Sequence, residues 1–499
     1  MRRAMPRAAR PAPIGLVRLG GCAALAVLAV AAAARADDLR GALVSTYQAN
    51  PTLQAARANQ RANDENVPIA RSSGLPSLSG AATFTEYVKN NNTALSPGPT
   101  RAIDAQANLS VPVYSGGSVR NSLRAAEIRV GAGQDDLRGV ESQVFAQAVA
   151  AYMDVLLNEA VVGLNVKNVD VLKVNLKATS DRFEIGDLTR TDVAQSRSRL
   201  AVAEAQQRSA ESTLIGAREK YIQVVGKTPL DLAGPPPLPA LPTSPDEAVQ
   251  VALDNNPDLA AAHQRTRALG FDVKVAGAQR LPRLSLFTGA DRTDYLDSLS
   301  GAGFPASALQ QRYTSVSAGV RASIPLYQGG LPAAERRQAQ AREADAMETE
   351  IGTERQVIAT VRAAYASWQA ANDTIALNQT AVDAATLSLE GVRAENSVGN
   401  RTILDILNAE QELLNAQVQL VTARRNAYVA GFNLLAAMGK AEAKDLNLDG
   451  GALYDPQANY QRVKNKIWDW SNDPAPLARS TRTVDTPAQD AKIPASAQP

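Results

Sequence analysis

The chain has 499 residues, with 52 basic and 50 acidic side chains, one histidine and one cysteine. Six arginines (Arg2, Arg3, Arg7, Arg10, Arg18, Arg35) lie in residues 1–36, which hold no acid, so the remainder carries 46 bases against 50 acids, a net charge of −4. That balance argues against a nucleic-acid-binding face. A single histidine and a single cysteine argue against a zinc, haem or thiol-redox centre, and no cofactor is expected. Aromatics make up only 4% of the chain, which suits thin layers between long helices better than a compact globular core.

The arginine-rich start, the apolar stretch from Leu19 to Ala34 and Ala34-Arg35-Ala36 before Asp37 have the form of a secretory signal peptide over 1–36. Cys22 sits in Leu19-Gly20-Gly21-Cys22, a faint likeness to a lipoprotein processing box. The apolar run follows that cysteine instead of preceding it, so Cys22 is expected to leave with the leader. Beyond Ala36 no uncharged apolar run approaches the ~20 residues of a spanning helix. Any membrane insertion must then be as β-structure.

The mature chain repeats once. Asn50-Pro51-Thr52-Leu53 matches Asn256-Pro257-Asp258-Leu259, and Leu75-Pro76-Ser77-Leu78 matches Leu281-Pro282-Arg283-Leu284, both at an offset of 206. Val111-Pro112-Val113-Tyr114-Ser115-Gly116-Gly117 matches Ile324-Pro325-Leu326-Tyr327-Gln328-Gly329-Gly330 at an offset of 213. Gly186 through Asp192 matches Gly399 through Asp405, and Val225-Gly226-Lys227 matches Met438-Gly439-Lys440, again at 213. Length changes collect in loops, so the shift places one inside 76–112 and inside 282–325. The expected organisation is a first repeat over 37–233, a stiff proline-rich linker over 234–245, a second repeat over 246–449 and a disordered tail over 450–499.

Proline maps the helices. None occurs between Val113 and Thr228 or between Ala333 and Asp455, and proline inside a helix costs ~3 kcal/mol. Each gap is interrupted by a glycine, Gly186 or Gly399, about 69 residues after a Gly-Gly pair, which predicts a limb of ~104 Å. A shorter limb of ~57–60 Å follows each glycine, and segments 39–70 and 246–277 predict helices of ~48 Å. Each repeat is therefore expected to set one long helix against two shorter ones placed end to end. Leu404, Leu407, Gln411, Leu414, Val418 and Val421 form a heptad seam. Ile403, Ile406, Leu413 and Leu420 make a second apolar face, as the staves of a helical tube require.

Segments 101–113 and 314–324 alternate apolar and polar residues with the period of a strand. Partner strands begin near Leu78 and Leu284, giving β-hairpins at 76–115 and 282–327. Loops between them include Asn90-Asn91-Asn92 and Ser96-Pro97-Gly98-Pro99. The two hairpins hold 8 of the 22 aromatics, including Phe84, Tyr114, Phe287, Phe304 and Tyr327, a density that fits the interfacial girdles of an outer-membrane barrel. Four strands cannot close around a lumen, and an open edge is not tolerated in lipid. A barrel must be shared by two, three or four protomers.

The ordered duplicate set of helix–hairpin–helix plan, LP elements, P-x-Y-x-G-G elements and G-x5-D elements resembles the TolC-like outer-membrane efflux family over about residues 39–446. The resemblance implies a mainly α fold with transmembrane β-structure: a homotrimer whose twelve-stranded barrel sits in outer-membrane lipid above a twelve-helix periplasmic tunnel. It implies an exit duct for type I secretion or tripartite efflux, partnered by a periplasmic adaptor and an inner-membrane pump of ABC, RND or MFS type. The same resemblance carries adaptor contact to Ile185, Gly186, Asp187, Val398, Gly399 and Asn400, where the glycines also read as helix C-caps. It carries a periplasmic gate to Asp405, with Arg401 bonding towards the neighbouring limb at Thr191 and Asp192. Arg401, Asp405, Asn408 and Glu412 read as one helix stripe. Two departures stand out: Asn408 replaces a second acidic position, leaving one carboxylate ring, and Asn396 replaces a gate tyrosine.

Enzymatic chemistry finds little support. His263 has no metal partner at i±4, Gly439-Lys440 lacks the glycines of a phosphate loop, and Asp135-Asp136 reads as solvated helix charge. A passive porin or an envelope-spanning scaffold is the remaining alternative. A porin would devote most of its length to strands.

Overall fold

A computed structural model describes residues 37–89, 97–301, 305–448 and 453–493. The expected leader with Cys22, Asn90-Asn91-Asn92, Ser96 and Phe304 lie outside the described residues. The first half folds as α1 (Leu39–Ala49), α2 (Pro51–Asp64), α3 (Asn66–Ser72), β1 (Ser77–Glu86), β2 (Arg101–Tyr114), α4 (Ser118–Glu184) and α5 (Arg190–Val225). The second follows the same order with α6 (Pro245–Asn255), α7 (Pro257–Ala278), β3 (Arg283–Asp294), β4 (Arg312–Ser323), α8 (Leu331–Ser397) and α9 (Ile403–Ala437). A final short helix, α10, spans Pro456–Val463.

The long limbs α4 and α8 have 67 residues each, or ~100 Å of helix. Towards its end α4 packs on α5, and towards its start on α1, α2 and α3. In the second repeat α8 packs likewise on α9, α7 and α6. Segments 39–70 and 246–277, expected as single helices, are each broken at the Asn-Pro pair. Proline pushes the preceding residue into extended backbone, and Asn50 (ψ 125°) and Asn256 (ψ 122°) adopt it. Each asparagine then caps the helix that restarts: Asn50 Oδ1 accepts from the N–H of Thr52 at 2.9 Å and Leu53 at 3.2 Å, and Asn256 Oδ1 from Asp258 at 3.0 Å and Leu259 at 3.2 Å. Their amide nitrogens donate to the carbonyls of Val224 (2.9 Å) and Ala437 (3.0 Å), at the ends of α5 and α9. The repeated asparagine is thus the staple that joins two short helices end to end.

The core lies where these junctions meet, around Leu53, Phe145, Val149, Tyr152, Leu214, Tyr221, Leu434 and Met438. By composition α4 is long and apolar enough to cross a membrane, with a mean hydropathy of 1.3 over its most apolar stretch. Half of that stretch is buried inside the fold, so its apolarity serves the core. Of the predicted seam on α9, Leu407 and Leu414 are buried while Leu404 is 38% exposed; Ile406 and Leu420 bury the second face. Asp135 and Asp136 are more than solvated charge. They tie α4 to α7 through Gln264 and Arg265.

The strands form one antiparallel sheet in the order β1-β2-β3-β4. The two predicted hairpins are joined by β2–β3 pairing, which runs from Ile103 opposite Asp294 to Tyr114 opposite Leu284. Strands β1 and β4 are the edges. Leu78, Phe84, Val316 and Val320 are exposed on them.

The disorder expected over 450–499 is not what 453–493 shows. The Tyr454 N–H donates to the Tyr47 hydroxyl at 2.8 Å, and Asn459 donates to Asp64 at 2.7 Å. Arg218, paired with Glu159 in the interior, donates to the carbonyls of Asp490 (2.7 Å) and Lys492 (2.8 Å). A few hydrogen bonds, with Tyr454 and Ile493 packed against the core, hold a segment whose average composition is that of a linker.

Candidate functional site: the two helix turns at the limb ends

Both long limbs end in the same turn. Ile185 and Val398 are the last half-helical residues, and Gly186 (φ +82°) and Gly399 (φ +84°) adopt the left-handed conformation that other L-residues adopt only with strain. The Gly186 N–H bonds to the Phe183 carbonyl and Asp187 N–H to Arg182, while Gly399 bonds to Asn396 and Asn400 to Glu395. Both are Schellman caps. Ile185 and Val398 are 79% and 70% exposed, two apolar side chains held out at the turns.

The short limbs start identically as well. Thr189 Oγ1 accepts from the Asp192 N–H while Asp192 Oδ2 takes the Thr189 N–H (2.9 Å) and hydroxyl (2.7 Å). Thr402 and Asp405 repeat this at 2.9 and 2.8 Å. These reciprocal caps satisfy two helix-end donors each and explain the repeated G-x5-D spacing without any ligand. Hydrogen bonds to the charged form hold both carboxyls below the usual range, chiefly from the Thr189 hydroxyl for Asp192 and from the Thr402 N–H for Asp405. The T-x-x-D pattern at Thr189–Asp192 and Thr402–Asp405 is the signal in the sequence that marks these caps. Thr191 lies in the first turn of α5, exposed, beside Asp192.

Arg401 differs from expectation. It precedes the cap Thr402, so it stands outside α9 and cannot share a helix stripe with Asp405, Asn408 and Glu412. Its guanidinium pairs with Glu395 at 2.7 Å, across its own turn, and the Asn396 side chain donates to its carbonyl at 2.7 Å. In the first repeat a different pair closes the turn, Arg182 to Asp187 at 2.7 Å; at the repeat offset Arg182 matches Glu395, but Arg401 matches Leu188. Within the chain, the described bonds do not link Arg401 to Thr191 or Asp192. The bridge between short limbs is instead Arg199 on α5 donating to Asn408 on α9 at 2.7 Å. Deeper in, the buried Glu410 receives Asn175 of α4 (2.8 and 2.9 Å) and Arg393 of α8 (3.1 Å), joining three limbs. Arg199, Asn175, Arg393 and Glu410 have no counterpart of matching chemistry at the repeat offset, so the duplication that revealed the turns concealed them.

The model of a family described as "Outer membrane efflux protein" matches residues 42–227 and 248–440, most of the chain. The chain belongs to the outer membrane efflux protein family. It is 34% identical to the outer membrane efflux protein BepC of Brucella suis over 440 residues, covering 87% of this chain and 92% of that one. It is 27% identical to the outer membrane protein TolC of Escherichia coli, covering 89% and 93%. Among solved structures, the CmeC outer membrane channel of Campylobacter jejuni matches with a TM-score of 0.70 at 16% identity, covering 86% of this chain and 89% of that one. The resemblance read from the repeats is met, and the fold is that of the outer-membrane channels. This efflux protein presents four strands to the outer membrane and carries long paired helices into the periplasm. It serves as an exit duct for export and is a channel protein.

Proposed function

We propose that the duct is a homotrimer whose limb-end turns are both the docking site of a periplasmic adaptor and the gate. The observation that carries this reading is the sheet: four strands, open at β1 and at β4, attached to ~100 Å helices. Three copies bring twelve strands together, and the helices then line a tunnel under the barrel. An inner-membrane pump of ABC, RND or MFS type supplies the cargo. Ile185, Gly186 and Asp187 with Val398, Gly399 and Asn400 form two similar exposed knuckles, which suits grooves gripped by a repeated partner. Asp405 supplies one carboxylate per protomer at the constriction, with Thr191, Asp192 and Arg401 flanking it. Asn408 is occupied by Arg199 and adds no charge.

Mass determination of the detergent-solubilised protein tests the assembly, with three copies expected and a stable monomer overturning it. Asp405→Asn is expected to lower cation selectivity in single-channel recordings, and unchanged selectivity would remove the carboxylate ring. Replacing Ile185 and Val398 together by Glu is expected to abolish adaptor crosslinking and pump-dependent export while leaving assembly intact.

A further inference from the structure

The described tail climbs the outside of the first repeat in register with it. Tyr454 meets Tyr47, Asn459 meets Asp64, Tyr460 packs on Val67, Ala126 and Val130, and Lys464 is bonded through its carbonyl by Arg71. Tail numbers and α1–α3 numbers rise together, so the tail runs towards β1, which starts at Ser77. Ala126 lies eight residues into α4, so Tyr460 sits only ~12 Å along that helix from the junction with the sheet, and residues beyond Tyr460 go higher.

At the top the chain turns back. Asp473 closes a loop by bonding Arg462 (2.7 Å) and Lys466 (3.2 Å), and the Ser471 N–H bonds to the Trp468 carbonyl at 3.1 Å. The loop is therefore held at its base. Its crest carries three large apolar side chains around one acid, Asp469: Ile467, Trp468 and Trp470 are 68%, 73% and 81% exposed. Two indoles presented to water by a fastened loop are unfavourable for a water-facing surface. Their apolar ring with one polar N–H suits the headgroup layer of a bilayer, where tryptophan concentrates. The sheet that crosses the outer membrane begins immediately above.

The geometry points to Ile467, Trp468 and Trp470 as an interfacial anchor that dips into the phospholipid headgroups of the periplasmic leaflet and fixes the height of the channel in the outer membrane. Asp473, bonded to Arg462 and Lys466, and Asp469 together offset those two bases, so the indoles carry the contact and salt should affect it little.

The chain has three tryptophans, and Trp368 lies 37 residues along α8, ~55 Å from its sheet end. The test uses the full-length channel with Trp368→Phe, reconstituted in phosphatidylethanolamine–phosphatidylglycerol vesicles with or without bromine on the upper acyl chain. The expected result is a blue shift on reconstitution and quenching by the brominated lipid, unchanged in high salt. The companion channel carrying Trp468→Phe and Trp470→Phe, with Trp368 as its emitter, should show no quenching. Tail indoles that stay accessible to aqueous iodide overturn the proposal. So do tail indoles shielded from iodide but insensitive to brominated lipid, because a neighbouring protomer then covers them.

Discussion

Helices α4 and α8 have the same length, follow the same Gly-Gly turn and end in the same cap, yet they live in different surroundings. Along α4, side chains are buried from Ala125 to Thr179, Phe145, Val149 and Tyr152 completely. On α8 the buried residues are Val357, Val361, Ala385 and Leu389, while Met347, Ile351, Leu377 and Leu387 lie open. Position in the layer explains the contrast. Helix α4 packs on α1, α2, α3, α5, α7 and α9, whereas α8 follows the edge strand β4 and packs on α6, α7 and α9. One protomer thus leaves a strand edge open at β4 and an exposed apolar face on the helix that follows it. Duplication fixes the shape of a stave, and in the proposed homotrimer the open face of α8 is the one that another copy would cover.

The largest effects should separate the two limbs. Phe145→Ala removes a fully buried ring stacked on Tyr47 and should cost ~3–5 kcal/mol in a thermal or denaturant melt. Leu387→Ala, at a site 71% exposed within its own chain, should leave the fold of that chain almost unchanged, while Leu387→Glu should dissociate the assembly. An oligomer that tolerates Leu387→Glu would show that the open face of α8 is not an interface.

A middle-sized effect belongs to the point where the limbs are tied together. Glu410→Ala leaves Asn175 and Arg393 without their shared acceptor and should cost ~2 kcal/mol, seen as faster amide exchange near the ends of α4, α8 and α9. Glu410→Gln keeps one acceptor oxygen and should recover part of the protection. Smaller still, Thr189→Ala and Thr402→Ala should each cost ~1 kcal/mol and fray α5 and α9 equally, because the two caps match bond for bond. Unequal losses would mean that one limb end is supported by a partner.

Much of this was legible because it is periodic or repeated. Proline-free spans gave the long helices, alternation gave β2 and β4, and the paired glycines gave both turns. What escaped was chemistry that depends on tertiary placement or occurs once. Asn50 and Asn256 are repeated, but their second bond, to a carbonyl some 170–180 residues away, depends on tertiary placement. In the tail, Tyr454, Asn459 and Ile493 dock individually, and composition averages such anchors away. Helix spacing continued backwards from Asp405 reaches Arg401 only by passing through a cap that the Thr402–Asp405 pair marks.

The pH response gives the finest comparison, between the two caps themselves. Asp192 and Asp405 have folded-state pKa values below the unfolded ones, so each contributes helix stability above about pH 4 and loses it as pH falls through its folded value. Burial raises Glu141 and Asp64 instead. Their contribution is full at acid pH and is lost as pH rises through their raised values, so the core around α1–α4 should keep its protection where the turns fray. In a single chain, α5 and α9 should fray together. If Asp405 faces its own copies across a closed entrance, like charges raise its pKa, and α9 must fray at a higher pH than α5. Amide exchange over 190–195 and 403–408 in the assembled channel, corrected for intrinsic rates, reads this difference directly. Coincident transitions would mean that the Asp405 carboxylates stand too far apart to form a ring.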